Sequence, residues 1–295
     1  MKKLVPIILF SILFVAGRQT LYAFGAQDGT ATPDTTLTKK EIKKAKRKEE
    51  RKNLKPHFRL SLNTTYAFLE TQVRFITPGG LVSFQVGLEK NLQMPDQQII
   101  VSSSMIYRIT PRSGLYAMYY GLKRNSKHVL NRDIYLPGDT IFAGAYVNTF
   151  FNTDVYSFGY LFSILTREKS FLGVFFNLYL MNIRTGIESD IIQKRSFNYQ
   201  FLAPLPNIGL IMDFELTKWF HLNSGVGTFF VNNIEGVGGT IQDIHFLTAF
   251  YPAKWLALSI GFHIFNVFVT SREQDYLLNV SYSFKGPSFS LRFRF

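Results

Sequence analysis

The sequence predicts an all-β fold: an integral, antiparallel, up-and-down β-barrel of about ten strands that crosses a membrane. Three observations support this prediction. Residues 276–295 alternate apolar and polar side chains with the period of a strand. Aromatic residues reach 16% of the chain, with 30 Phe and 15 Tyr, and the lipid-facing wall and rims of a barrel use such residues. No run of about 18 apolar residues follows residue 56, which excludes helical spans.

The closing strand, residues 276–295, contains one predicted irregularity. Its apolar side chains occupy even positions from Leu278 to Phe284 and odd positions from Phe289 to Phe295. A shift of one residue at the Gly-Pro step, residues 286–287, predicts a β-bulge. With this bulge, both sets of apolar side chains face lipid.

Two segments precede the predicted barrel, which covers residues 56–295. Residues 1–25 have the pattern of a signal peptide: a basic start, an apolar stretch at 4–16 and a small-x-small cleavage site at 23–25. Residues 26–55 are predicted to be a disordered linker and a basic tail. The tail, residues 39–55, has helix formers but no apolar face that a helix could bury.

The formal net charge of +13 is concentrated near the N-terminus, since more than half of it comes from residues 1–55. The predicted barrel is therefore only mildly basic, and no binding of nucleic acid is predicted. The tail 39–55 is either a solvated arm or an electrostatic docking segment for an envelope protein or another anionic surface. Outer-membrane lipid is the expected surrounding of the barrel.

From residue 56 onward, stretches of alternating residues are joined by short turns and longer loops in turn. The short turns are at 110–114, 166–170, 217–219 and 252–255. Trp219 and Trp255 each follow a Lys at such a turn, which predicts an aromatic belt at one rim. The ten predicted strands are 57–75, 98–109, 115–124, 149–165, 171–185, 203–216, 220–233, 240–251, 256–270 and 276–295.

An even number of strands brings both termini to the short-turn side, which is expected to be periplasmic. The ring must close, because an unpaired strand edge in hydrocarbon costs several kcal/mol per polar group. Residues 81–87 also alternate. With a partner near residues 139–148 they would raise the count to twelve.

Placing the apolar faces against lipid leaves a polar set for the lumen. Both signs of charge occur in it, which favours pairing across the interior over an ion filter of one sign. A barrel of ten strands is only slightly wider than those that side chains fill, so a closed lumen is expected first and a narrow solute path second. The predicted lumen residues are Arg59, Asn63, Arg108, Asp213, Glu215, Asp243, His245, His263, Lys285, Arg292 and Arg294.

An outer-membrane hydrolase (a lipase, protease or deacylase) is the alternative function. Asp243 and His245 share a strand face, and His263 lies on the next predicted strand. The sequence has neither a GxSxG nor an HExxH motif, and the absence of Cys excludes thiolate nucleophiles and thiolate metal sites. No catalytic residue, metal or cofactor is therefore predicted.

Four runs, RITPRSGLYAMYYGLKR, GYLFSIL, APLPNIGL and FKGPSFSLRFRF, occur in this order along the chain. In that order they resemble a family of uncharacterised outer-membrane β-barrel proteins of Gram-negative bacteria. The terminal Phe295 likewise resembles the end of a closing barrel strand. The resemblance implies a barrel in the outer membrane and no established activity, and it does not extend to the tail. We therefore expect a non-enzymatic protein, either a narrow pore or a structural or accessory subunit.

Overall fold

The computed structural model describes residues 58–76, 83–110, 112–136, 139–166, 170–189, 195–234, 237–272 and 277–295. The predicted signal peptide and the linker with the basic tail lie outside these residues. Within them, no helix is long and apolar enough to cross a membrane.

The described residues are mostly strand. In chain order the elements are β1 (Phe58–Ile76), β2 (Ser83–Gly87), α1 (Leu88–Asn91), β3 (Gln97–Arg108), β4 (Ser113–Val129), β5 (Ile134–Leu136), β6 (Asp139–Ile141), β7 (Tyr146–Thr166), β8 (Phe171–Ser189), β9 (Arg195–Glu215), β10 (Phe220–Ile234), β11 (Val237–Ala253), β12 (Leu256–Arg272) and β13 (Leu277–Arg294). Ten of them form an antiparallel ring in the order β1-β3-β4-β7-β8-β9-β10-β11-β12-β13. The predicted fold is confirmed.

The ring closes between the first and last strands. β13 pairs with β1 from Arg59–Arg294 to Ile76–Leu277. At one end of these two strands, the Phe58 and Phe295 backbones exchange hydrogen bonds of 3.2 and 2.9 Å. The two strands that would otherwise be sheet edges thus satisfy each other's backbone groups, as a bilayer requires.

The twelve-strand alternative is wrong. β2 is a strand, but it pairs with residues 72–76 of β1, beyond the point where β3 leaves β1. β6 pairs with β5 in a separate hairpin and not with β2. The barrel therefore has ten strands in its ring and one short additional strand on β1.

The four short turns lie where the sequence predicts them, between β3 and β4, β7 and β8, β9 and β10, and β11 and β12. We call this end of the barrel the turn end and the opposite end the loop end. The halves of the barrel next to them are the turn half and the loop half. Trp219 and Trp255 are exposed at the turn end, where they stack on Phe250 and Phe293 at centroid distances of 6.2 and 6.3 Å.

Several strands continue further toward the loop end than predicted. β4 runs to Val129 and β9 begins at Arg195, whereas their predicted limits are 124 and 203. Only residues 235 and 236 separate β10 from β11. The predicted strands end where the pattern of apolar outside and polar inside ends, although the backbone pairing continues beyond that point.

The predicted bulge in β13 is also wrong. The pairing of β13 with β12 is unbroken from Leu256–Phe293 to Arg272–Leu277. Even positions therefore face inward along the whole strand, and they are buried from Leu278 to Arg292. Gly286 is buried in this inward row. The position has no space for a side chain, since a Cβ there would lie 1.9 Å from the Tyr66 carbonyl oxygen of β1.

Halfway along the barrel, the apolar side chains change from the outer face of the strands to the inner face. At this level, the alternation of inward and outward residues along the strands is unbroken. In the turn half of β1, Arg59 and Ser61 face inward and Leu62 faces outward. In the loop half of the same strand, buried Leu69 faces inward and exposed Glu70 faces outward. The turn half therefore has an exposed apolar belt around a polar interior, and the loop half has a polar surface around an apolar core.

Candidate functional site in the barrel lumen

Nearly all the predicted lumen residues lie on inward strand faces, since each shares its face with buried neighbours. Arg294 shares the face of Arg292 but is exposed at the rim. Lys285 is exposed on the outer face, next to inward Phe284, so its predicted position is wrong. The predicted bulge would have turned it inward. The residues placed inward are Arg59, Asn63, Arg108, Asp213, Glu215, Asp243, His245, His263 and Arg292.

A charged cluster occupies the lumen near the turn end. Its centre is the buried carboxylate of Asp213 on β9. Arg59 Nη1 lies 3.5 Å and Arg292 Nη1 3.9 Å from the same oxygen, Asp213 Oδ2. His221 Nδ1 lies 3.1 Å from the other oxygen, Oδ1, and His221 Nε2 is 3.8 Å from Glu215. Residues from β1, β9, β10 and β13 thus meet across the interior.

Arg108 lies on the inward face of β3 near this cluster. Its Nη1 donates to the Ser163 hydroxyl at 3.3 Å, and its guanidinium lies 4.4 Å from the centroid of the Phe171 ring. The aromatic face and the hydroxyl both stabilise the buried guanidinium. Arg108 therefore connects the turn end of β3 to β7 and β8.

A second polar cluster lies further along the lumen. His263 Nε2 lies 2.9 Å from Asp243 Oδ1, and the Tyr179 hydroxyl donates to Asp243 Oδ2 at 2.6 Å. The His245 and His263 rings are nearly perpendicular, with centroids 6.3 Å apart. The sequence places Asp243 and His245 on one strand face and His263 on the next strand. In the structure all three side chains line the lumen from the paired strands β11 and β12.

Tyr179 and His221 also lie in the lumen, although they are not among the residues predicted there. Tyr179 alternates in phase with Asn177 on β8, which is a polar signal, but the lipid-facing wall of a barrel also uses aromatic side chains. His221 is in phase with Asn223 on β10 and directly follows the turn that contains Trp219. The periodicity of both strands therefore contains the information needed to place these side chains inside.

A cavity of about 150 Å³ lies in the lumen and touches both polar clusters. Arg59 and Arg292 contribute to its lining from the first cluster, and Asp243, His245 and His263 from the second. Among the described residues, Arg292 Nε and Nη1 have no hydrogen-bond partner, and neither does the Ser290 hydroxyl. The remaining wall combines hydroxyl and amide side chains with a larger apolar area. The polar residues are Ser61, Asn63, Ser102, Ser104, Asn177, Asn223 and Ser288, and the apolar ones include Ile106, Met118, Leu161, Phe175, Ile211 and Leu247.

A layer of aromatic side chains lies between this cavity and the loop end. The Phe265 ring contacts Tyr120, Tyr179, Tyr282 and Phe284 at centroid distances of 5.3–6.3 Å. Phe265 is 1% exposed and Tyr282 0%. We call these five residues the aromatic layer. They come from β4, β8, β12 and β13, so the layer extends across the interior.

Beyond the aromatic layer, the segment after β2 is anchored to the inner wall. Arg124 Nη1 binds Glu89 Oε1, and Arg124 Nη2 binds the Thr71 hydroxyl. The Thr71 backbone N–H donates to Glu89 Oε2 at 2.9 Å, and the Arg124 guanidinium lies 5.1 Å from the Phe151 ring centroid. Glu89 is in α1, whose Leu88 is buried. The inward ion pair fixes this helix on the strands.

Comparison with solved structures finds a similar fold in an outer-membrane protein. The outer-membrane protease OmpT of Escherichia coli superimposes with a TM-score of 0.56 at 10% identity, covering 83% of this chain and 100% of that chain. The chain has the fold of an outer-membrane β-barrel. Its exposed apolar belt is the surface of a protein embedded in that membrane.

Two further solved structures align with the chain at lower similarity. Ail, the attachment invasion locus protein of Yersinia pestis, has a TM-score of 0.34 at 12% identity, with coverage of 80% and 99%. The Pseudomonas putida toluene transporter TodX has a TM-score of 0.32 at 8% identity, with coverage of 80% and 89%. No protein-family model and no curated protein sequence matches the chain.

Proposed function

We propose that the protein is a closed, non-enzymatic outer-membrane barrel that serves as a structural or accessory subunit of the envelope. The aromatic layer is the observation that carries this proposal. A narrow pore, the other form of non-enzymatic barrel expected from the sequence, needs a continuous aqueous path. Fully buried rings from four strands leave little room for one.

Opening such a layer is energetically expensive. Burial of one large apolar side chain contributes about 1.5–3 kcal/mol, so moving two or three rings into water costs several kcal/mol. The layer also continues into the apolar core of the loop half, which includes Phe151, Met181 and Ile183. A spontaneously open state is therefore expected to be rare.

Conductance across a planar bilayer tests this proposal. The refolded full-length protein and the lipid-facing control Phe262→Ala are expected to give no channel events. The double variant Phe265→Ala/Tyr282→Ala, which removes two rings of the aromatic layer, is expected to give small events. Heat-modifiable gel mobility verifies that each variant is folded. Sustained conductance of the unmodified protein at the level of the double variant would overturn the closed-lumen proposal.

A hydrolase is the second candidate, because His263 and Asp243 form the ion pair that could support a general base. Two features oppose it. Both Asp243 oxygens are engaged, and among the described residues no hydrogen bond joins the His245 or His263 ring to a Ser or Thr hydroxyl. The pair also lies beneath the aromatic layer, which separates it from macromolecular substrates on the loop side.

Turnover assays distinguish this candidate from the first. Refolded protein is incubated with fluorogenic peptide and lipid-ester substrates, beside the variants His263→Ala and Lys285→Ala. We expect no turnover above the empty-micelle background for any of them. Turnover that is lost in His263→Ala and retained in Lys285→Ala, which alters the outer face only, would establish the hydrolase instead.

A further inference from the structure

We propose that the lumen cavity beneath the aromatic layer binds a small monovalent oxyanion, of the carboxylate or phosphate type, through Arg292 and Arg59. This inference goes beyond the proposed function, because a barrel closed toward the loop end can still hold a ligand on its other side. It rests on the long distances from Arg59 and Arg292 to Asp213, on unpaired donors of Arg292 and on the lining of the cavity.

The pairing of Arg59 and Arg292 in this cluster is loose enough to admit an anion. Arg59 and Arg292 share a single oxygen of Asp213, at 3.5 and 3.9 Å. Charge-assisted hydrogen bonds between guanidinium and carboxylate groups are usually about 2.7–2.9 Å long, so neither arginine is tightly paired. The other Asp213 oxygen is engaged by His221. One carboxylate oxygen therefore serves two buried guanidinium groups at distances longer than a close ion pair, which leaves both arginines able to bind a further oxygen ligand.

Arg292 has the donors to bind such a charge. It is 6% exposed, and its Nε and Nη1 have no hydrogen-bond partner among the described residues. A buried charged group with unpaired donors is expensive unless a ligand or water satisfies them. Each of these two nitrogens shares one edge of the planar guanidinium with Nη2, and either edge matches the two oxygens of a carboxylate or phosphate. The nearby Ser290 hydroxyl, also unpaired, can add a third donor.

The cavity limits the size and charge of the ligand. Its volume of about 150 Å³ far exceeds the roughly 10–15 Å³ that one water molecule requires, so a small organic acid fits with hydrating water. The lining also contains the Asp243 carboxylate, which opposes a ligand with several negative charges. A monoanion bound to the arginines is therefore the favoured ligand.

Binding to the refolded full-length protein in detergent micelles tests the proposal. Thermal unfolding and titration calorimetry compare sodium acetate, sodium phosphate and sodium chloride at matched ionic strength. We expect acetate or phosphate to raise the melting temperature above that in chloride. Acetate alone would identify a carboxylate ligand and phosphate alone a phosphate ligand, and each supports the site. Equal effects of all three salts would leave water as the occupant and overturn the proposal.

Variants of two arginines on the same strand face locate the site. Arg292→Gln is expected to weaken the apparent affinity by about tenfold or more, the loss that follows from removing a hydrogen bond to a charged group. Arg294→Gln, at the exposed rim, is the matched control and should bind as the unmodified protein does. Arg292→Lys keeps the charge without the planar donors and should show an intermediate loss, which preserves the test if Arg292→Gln fails to fold. Unchanged affinity in Arg292→Lys and in any folded Arg292→Gln would contradict the proposal.

Discussion

The turn half and the loop half of this barrel are built from the same ten strands but have opposite surfaces. Along β13, Phe284 is buried inside, whereas Phe289, five residues later, is exposed outside. The backbone register does not change between them. The difference shows that the medium around the barrel, and not the phase of the strand, decides which face of a strand is apolar.

The two halves are therefore stabilised by different interactions. The loop half resembles a water-soluble barrel, in which apolar side chains fill the interior and exclude water. The turn half has its apolar side chains in lipid, and its interior depends on ion pairs and hydrogen bonds such as those of Asp213. Substitutions of the same type should have different effects in the two halves.

The first prediction concerns which half faces the outside of the cell, and its effect is all or none. The loop end is expected to face outward and the turn end the periplasm. In the Cys-free chain, Asn131→Cys should react with a membrane-impermeant maleimide in intact cells, and Ser113→Cys should react only after the cells are opened. Labelling of Ser113→Cys alone in intact cells would reverse the orientation.

The second prediction compares inward and outward aromatic residues of β12. Phe265→Ala should reduce the free energy of unfolding by about 3–5 kcal/mol, because it leaves a cavity in the aromatic layer. Phe262→Ala, 44% exposed on the outer face, should cost clearly less, since lipid can fill the vacated space. Urea unfolding of both variants in lipid vesicles measures the difference. Equal losses would mean that the aromatic layer is not a packed core.

The third prediction concerns the ion pairs of the two halves. Asp213→Asn should cost about 3–5 kcal/mol, because it removes the carboxylate that Arg59 and Arg292 share in a buried site. Asp154→Asn should cost at most about 1 kcal/mol, since Arg184, its partner on the outer face of the loop half, is 41% exposed. The same urea experiment checks both, and a larger loss in Asp154→Asn would contradict the assignment of the two faces.

The fourth prediction concerns the closest backbone contact of the closing strand. Gly286→Ala should destabilise the barrel by about 1–3 kcal/mol, since the new methyl group meets the Tyr66 carbonyl and must displace β1. Ser283→Ala on the outer face of the same strand is the control and should have little effect. The yield of heat-modifiable, membrane-inserted protein measures both variants. Normal insertion of Gly286→Ala would show that β1 and β13 approach less closely.

Much of this architecture could be predicted from the sequence, and the errors have one cause. The turn chemistry located the strand ends near the turns, and the alternation placed Arg59, Asp243 and Arg292 inside. Alternation identifies residues that share a face but not the medium that the face contacts. Assuming lipid outside at every level produced a bulge at residues 286–287, an inward Lys285 and strands that ended too early at the loop end.

The candidate site shows the same limit. The sequence predicts which polar side chains line the lumen, because each follows from one strand's periodicity. It does not predict that Asp213 is shared by residues from β1, β10 and β13, because those contacts depend on the tilt and stagger of strands around the ring. The aromatic layer was missed for a related reason, since buried Tyr120 and Tyr282 are chemically indistinguishable from lipid-facing aromatic residues.

The central claim is that the outer face of β13 contacts lipid in the turn half and water in the loop half, while the alternation of its side chains is unbroken. Single cysteines at three positions of β13 test it in lipid nanodiscs, where a soluble maleimide reaches both ends of the barrel. Asn279→Cys, outward in the loop half, should react rapidly. Phe289→Cys, outward in the turn half, and Val280→Cys, inward in the loop half, should react only after unfolding. Rapid reaction of Phe289→Cys, or protection of Asn279→Cys equal to that of Phe289→Cys, would contradict the account.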